Sequence, residues 1–337
     1  MRLIAFATAC LMPLTLWAED FDAAIDAALD THVLPGVTDL AEASAGLATT
    51  AETHCASDAP ELRAAYNTAF DAWMRVSHLR FGPSETDNRA FALAFWPDGR
   101  GVTPRTLSQL IGEEDPVVGN VDGYAEVSVA GRGFYAMEFL LYDPDLSTRG
   151  SDAYRCALIQ VIAADIAATT AAILEEWEME HASLMREAGS NDRYQSDAEA
   201  MRALFNALTT GLEFNADVRL GRPLGTFDRP RPNRAEARRS ERSVRNITLS
   251  TEGLAELAAA LTVDEPGMAT GIAAGFDLVL EAAGRVEDPV FANVADPQGR
   301  LRVEALQQRT RGLRQMILTE MGPSLGISAG FNALDGD

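Results

Sequence analysis

The sequence predicts an all-α protein folded as two helical bundles. Three observations carry that expectation. Apolar residues recur at three- and four-residue steps over long stretches. Helix-opening Ser and Asp residues and helix-ending Pro and Gly pairs punctuate those stretches. No run alternates β-branched and polar residues for long enough to build a sheet. The 337 residues supply ample material for a core, and an apolar content of 47% excludes a disordered chain.

Residues 1–18, MRLIAFATACLMPLTLWA, have the layout of a cleavable export signal. Arg2 precedes an apolar run from Leu3 to Trp17, and small Ala18 stands before acidic sequence. The run is too short to span a bilayer stably, and no later segment has the uninterrupted apolar length of a span. The expected destination is the periplasm, as a soluble chain. Lipid attachment at Cys10 is not expected, because Ala7 stands where such signals usually carry Leu.

The first bundle is expected over 19–189. Phe21 to Leu29 opens a helix that Pro35-Gly36 should interrupt before a second stretch through Cys55. Asp58-Ala-Pro-Glu61 reads as cap, proline and first-turn acid of a helix carrying Tyr66, Phe70, Trp73 and Val76, ending near Gly82-Pro83. Residues 81–126 are irregular and aromatic, with turn chemistry at Trp96 to Arg100 and a short helix from Thr103-Pro104. A connection of that length either lines a site or covers the bundle. Ser128 to Tyr142, SVAGRGFYAMEFLLY, starts with glycines and becomes an apolar helix with one acid, Glu138. Tyr135 and Glu138 share a face at i and i+3, and a carboxylate buried there requires a partner. Ser151-Asp152 caps a long helix with Tyr154, Leu158, Ile162, Ile166, Ile173 and Trp177 on one stripe.

The polar segment from Ala188 to Arg193 marks the boundary, and the second bundle is expected over 190–337. A helix starts at Ser196-Asp197, an arginine-dense stretch runs from Gly221 to Asn246, and helical runs follow near 250–262, 268–285 and 298–321. Ala235 to Asn246 reads as helical, placing Arg238, Arg242 and Arg245 along one face that could partner Glu138. These arginines either grip an anion or neutralise the acids of a chain with net charge −22.

That charge disfavours nucleic acid and anionic lipid as partners. Phosphate loops, dinucleotide fingerprints, nucleophile elbows and zinc-protease motifs are all missing. The four histidines, His32, His54, His78 and His181, are spaced too widely for a zinc site and read as surface or packing residues. A metal here would be held by oxygen ligands, which favours Mg, Ca, Mn or ferric iron. In an exported chain Cys55 and Cys156 either pair or remain as two buried thiols.

Trp73 with LRFGPSE (Leu79 to Glu85), FWPDGR (Phe95 to Arg100), SVAGRGFYAMEFLLYD, GRPLG (Gly221 to Gly225), AEARRSERSVRNI and the terminal GFNALDGD follow one another in an order that resembles the imelysin-like family. That family includes an insulin-cleaving metalloproteinase and iron-regulated periplasmic and outer-membrane proteins. The resemblance covers the mature chain and implies a functional cleft between the two halves, near the family motif Gly-x-His-x-x-Glu. Here Gly133 and Glu138 match, while Tyr135 replaces the histidine. A phenol binds zinc poorly and ferric iron better. The resemblance therefore implies a non-peptidase binding protein linked to iron or another metal, with Tyr135 and Glu138 as metal ligands. Glu85, Arg80, Asp98, Arg100, Arg238 and Arg242 are the expected neighbours in the cleft. The alternatives are a metallopeptidase using Glu138, or a metal-free interaction protein.

Overall fold

The computed structural model describes residues 21–324; the expected export signal and the terminal GFNALDGD lie outside the described residues. Helix α1 (Asp22–Ala28) passes through a π-helical turn, Leu29–Val33, into α2 (Leu34–Thr53) without a break. The interruption expected at Pro35-Gly36 is absent, because Pro35 falls in the first turn of α2. The wider turn just before it makes room for the ring, which otherwise clashes with the carbonyl four residues back. Gly36 is where α2 presses closest on its neighbour: a Cβ there would lie 2.5 Å from Val76 Cγ1.

Next come α3 (Pro60–Val76), α4 (Arg89–Leu93), α5 (Val102–Glu113), α6 (Val121–Tyr124) and α7 (Gly133–Tyr142). The residue ahead of α3 is Ala59, without a side-chain cap, so Asp58 does not cap it as expected. Helix α3 also stops earlier than Gly82-Pro83, which instead forms a short 3₁₀ turn. Ser151 Oγ accepts from the Tyr154 amide at the start of α8 (Asp152–Glu176), which runs through the π-turn Trp177–His181 into α9 (Ala182–Arg186). The whole stripe from Tyr154 to Trp177 is buried. By length and composition the helix Asp152–Arg186 could cross a membrane, which the sequence reading did not anticipate. Its apolarity has another use here, since α8 is packed against α2 and α7.

The second group comprises α10 (Asp197–Glu213), the π-turn Phe214–Leu220, α11 (Gly221–Leu224), α12 (Ser243–Leu261), α13 (Pro266–Gly284), α14 (Pro297–Met316) and, after the π-turn Ile317–Met321, α15 (Gly322–Ser324). No strand occurs among the described residues; Thr226 and Arg229 form an isolated bridge.

Packing follows the apolar stripes. Helix α2 packs on α3 and α8, and α7 on α8 and α3; α12 packs on α13 and α10, and α14 on α13 and α10. Helices α1 and α3 both meet α12, so one continuous core joins the two groups. The cysteines are joined: Cys55 and Cys156 form a disulfide tying the end of α2 to the start of α8. The helix expected over Ala235 to Asn246 does not form. Ala237 (φ 44°) and Glu241 (φ 58°) are left-handed and fold this segment into consecutive turns before α12.

Candidate binding site

Helix α7 owes its position to Gly133. Its φ of 70° starts the helix after an extended Arg132, and a Cβ there would lie 2.2 Å from the Ala92 carbonyl oxygen. Only glycine permits that approach. It seats α7 against the end of α4 and buries both Tyr135 (5% exposed) and Glu138 (2%).

The two side chains then part. Tyr135 Oη donates to Glu236 Oε1 at 2.5 Å. Glu138 Oε1 accepts from the amide and hydroxyl of Ser240, at 3.0 and 2.9 Å. Burial raises the Glu138 carboxyl above its ordinary range, opposed by the Ser240 amide and by the charge of Arg239. The partner of Glu138 is thus a serine on the 235–241 turns, and Arg239 is engaged by Asp143 at 2.8 Å.

Glu236 is the hub of a buried network. Besides Tyr135 it accepts from Arg219 Nε (2.9 Å) and Asn246 Nδ2 (3.1 Å). Arg219, on the π-turn after α10, also donates to Asn215 Oδ1 at 2.6 Å and Ser250 Oγ at 3.2 Å, and covers the Phe214 ring at 4.9 Å. A buried ion pair supplied with this many hydrogen bonds is one that can offset its desolvation. Five elements meet here: α3, whose Met74 Sδ lies 3.8 Å from Arg219 Nη2, α7, the π-turn, the 235–241 turns and α12.

The network forms the floor of a cavity of about 430 Å³. Its walls are aromatic: Trp73, Phe91, Trp96 and Phe214. Trp96 stacks along Tyr135 with centroids 6.3 Å apart and meets Phe214 edge-on at 6.0 Å. At the rim the Arg80 guanidinium lies 5.9 Å from the Trp73 ring and 5.4 Å from Phe91, without a hydrogen-bond or ion-pair partner among the described residues, and the charge of Glu85 in the same wall acts on it. Arg222 lies 5.7 Å from Trp96, and its buried Nε has no hydrogen-bond partner among the described residues.

Of the residues expected in the cleft, Tyr135, Arg80 and Glu85 line this cavity. The others serve elsewhere. Asp98 accepts from the Thr103 and Arg100 amides and holds the start of α5, while Arg100 is exposed. Arg242 is buried, donating to Asn67 at 2.8 Å and to Asp71. Arg238 is half-buried and outside the cavity wall, with no side-chain hydrogen bond among the described residues, although the charges of Glu138 and Asp143 act on it. Because the 235–246 segment turns, Arg238, Arg242 and Arg245 share no helix face. Arg219, Glu236, Asn246 and Ser250 were missed by the sequence reading, in which Arg219 and Glu236 were two among many charges.

Tyr135 and Glu138 do not make a metal-ligand set as they stand. Burial and then the Glu236 charge hold the phenol well above its usual pKa, so it remains a donor. The Arg219 guanidinium already supplies the positive charge beside Glu236. Among the described residues no group of three His, Cys, Asp or Glu side chains is arranged to hold a metal ion.

Residues 33–317 match the model of the imelysin family, classed as peptidase M75. An imelysin-like protein of Psychrobacter arcticum superposes with a TM-score of 0.76 at 19% identity, over 92% of this chain and 96% of that one. A Parabacteroides distasonis protein described as an iron-regulated protein A precursor superposes with a TM-score of 0.69 at 15% identity, over 88% and 94%. Among curated proteins no significant match is found. At these identities the solved structures speak for the fold, and the family model, which spans most of the chain, decides membership: the protein belongs to the imelysin family.

Proposed function

We propose that this chain is a periplasmic binding protein without peptidase activity, and that the cavity beside Tyr135 takes a small, flat organic anion. The observation that carries the proposal is Arg80: a guanidinium at the rim of an aromatic-walled cavity that makes no hydrogen bond or ion pair of its own among the described residues, the Glu85 carboxylate in the same wall acting on it only through its charge. Aromatic faces favour a flat apolar body, and an arginine held over such faces is suited to gripping a carboxylate. The disulfide agrees with life in an oxidising compartment. Iron, invoked in the description of one structural relative, enters this reading as cargo inside an anionic organic chelate. The cavity offers guanidinium groups, aromatic faces and two carboxylates, of which Glu236 is already paired with Arg219.

Calorimetric titration with benzoate and with benzylamine tests the charge preference. Benzoate is expected to bind and benzylamine not, with Arg80→Ala weakening benzoate about tenfold or more. Preference for the amine, or benzoate binding indifferent to Arg80→Ala, would refute it. Chelator-sensitive cleavage of peptides by the purified protein would restore the peptidase reading.

A further inference from the structure

The cavity wall carries a second unmatched charge, opposite in sign to Arg80. Glu85 lines the cavity, is exposed to solvent, and makes no side-chain hydrogen bond or ion pair among the described residues. The chain around it fixes its place. Gly82 (φ 57°) turns the backbone beyond α3 against His181, where a Cβ would lie 2.5 Å from the ring Nε2. Ser84 Oγ donates to the Phe81 carbonyl at 3.0 Å, and Arg89 Nη1 to the Pro83 carbonyl at 3.1 Å. Arg89 is itself paired with Glu176 at 2.7 Å, so the next arginine along the chain is already committed.

Arg80 and Glu85 act on each other through charge, yet they do not pair. Arg80 stands against the Trp73 and Phe91 rings instead, 5.9 and 5.4 Å away. A cation entering the cavity finds the other places taken. Arg219 lies 4.9 Å from Phe214 and Arg222 5.7 Å from Trp96, so every wall ring already has a guanidinium beside it. Glu236, the other acid in the wall, is engaged by Tyr135, Arg219 and Asn246. Glu85 is the acid left open.

We infer that the ligand is an aromatic zwitterion, a flat ring bearing a carboxylate for Arg80 and a protonated amine for Glu85. The inference rests on the cavity being the anion site proposed above, and it adds a second charged group to that ligand. An ammonium on a carboxylate makes a charge-assisted hydrogen bond, about twice as strong as a neutral one. The same pair of charges rejects the wrong ligands. A second carboxylate in place of the amine meets the Glu85 charge, and an amine without a carboxylate meets Arg80.

Calorimetry on the full chain at about pH 7, where both ligand groups are ionised, tests it. The probes are the three (aminomethyl)benzoate isomers. Each is compared with the toluate of the same substitution, which keeps the ring and carboxylate and lacks the amine. At least one isomer should bind about tenfold tighter than its toluate, and the matching benzenedicarboxylate should bind more weakly than that isomer. Glu85→Gln should erase the advantage of the amine. Should that variant fail to fold, the wild-type comparisons decide by themselves. Three outcomes overturn the zwitterion and leave the anion site standing: no isomer outbinding its toluate, an advantage that survives Glu85→Gln, or a dicarboxylate that binds as tightly as the isomer. Failure of every probe to bind overturns both.

Discussion

Glu236→Gln keeps the shape of the network hub and removes its charge. The carboxylate accepts from Tyr135 at 2.5 Å, Arg219 at 2.9 Å and Asn246 at 3.1 Å, with Glu236 2% and Arg219 5% exposed. A glutamine has one acceptor oxygen, so its amide must face either the phenol or the Arg219 side. Tyr135 can rotate its hydroxyl and accept, but Arg219 has no such remedy. Its remaining close partners, Asn215 Oδ1 at 2.6 Å and Ser250 Oγ at 3.2 Å, are neutral. Removing one partner of a buried pair costs about 3–5 kcal/mol. Unfolding entropy of about 2.1 cal/mol/K per residue over roughly 300 residues converts this into a Tm lowered by about 5–8 °C. Circular dichroism melts and urea titration measure both quantities. The double variant Arg219→Met/Glu236→Leu removes both charges, and should be less destabilised than the sum of the single variants by about 2 kcal/mol or more. A Glu236→Gln protein within about 1 kcal/mol of wild type, or strict additivity in the cycle, would refute a coupled buried pair.

Gly133→Ala should cost at least about 2–3 kcal/mol, from the positive φ and the collision with the Ala92 and Leu93 carbonyls, and urea titration would show it. Reducing the Cys55–Cys156 bond, which closes a loop with a sequence separation of 101, should lower stability by about 2–5 kcal/mol; identical urea midpoints with and without reductant would contradict this. Stability should fall as pH drops below about 6.5. Burial first, and then Arg193, hold His181 at about 4, so the unfolded chain takes up its proton sooner than the folded one. The stabilisation is complete above the unfolded pKa and is lost toward the folded one, by up to about 2 kcal/mol at pH 5 before solvent screening is allowed for. Glu138, whose carboxyl burial raises, acts with the opposite sign, and buried His78 with the same sign, so His181→Gln is the control: it should make the acid slope between pH 7 and pH 5 shallower without abolishing it.

How much of this was legible depends on the distance along the chain over which each feature is decided. The buried stripe of α8, the Ser151 cap and the burial of Tyr135 and Glu138 in α7 follow from residues within a turn or two of one another. Helical periodicity and the cost of exposing an apolar face are local properties, so the sequence determined the helices and which of their faces are buried. The arginine-dense stretch shows where that logic ends. Read as a helix, it would align Arg238, Arg242 and Arg245; the left-handed Ala237 and Glu241 instead turn Glu236 into the core and Ser240 toward Glu138.

What the tertiary structure alone decided is pairing. Tyr135 meets Glu236 across 101 positions, and His32 meets His78 across 46 and Glu256 across 224. No periodicity encodes such contacts, because they depend on how the helices pack and on which buried polar groups can satisfy one another once water is excluded. So the apolar helix with its one acid was readable from the chain, whereas the aromatic cavity and the Arg80 guanidinium at its rim exist only through packing.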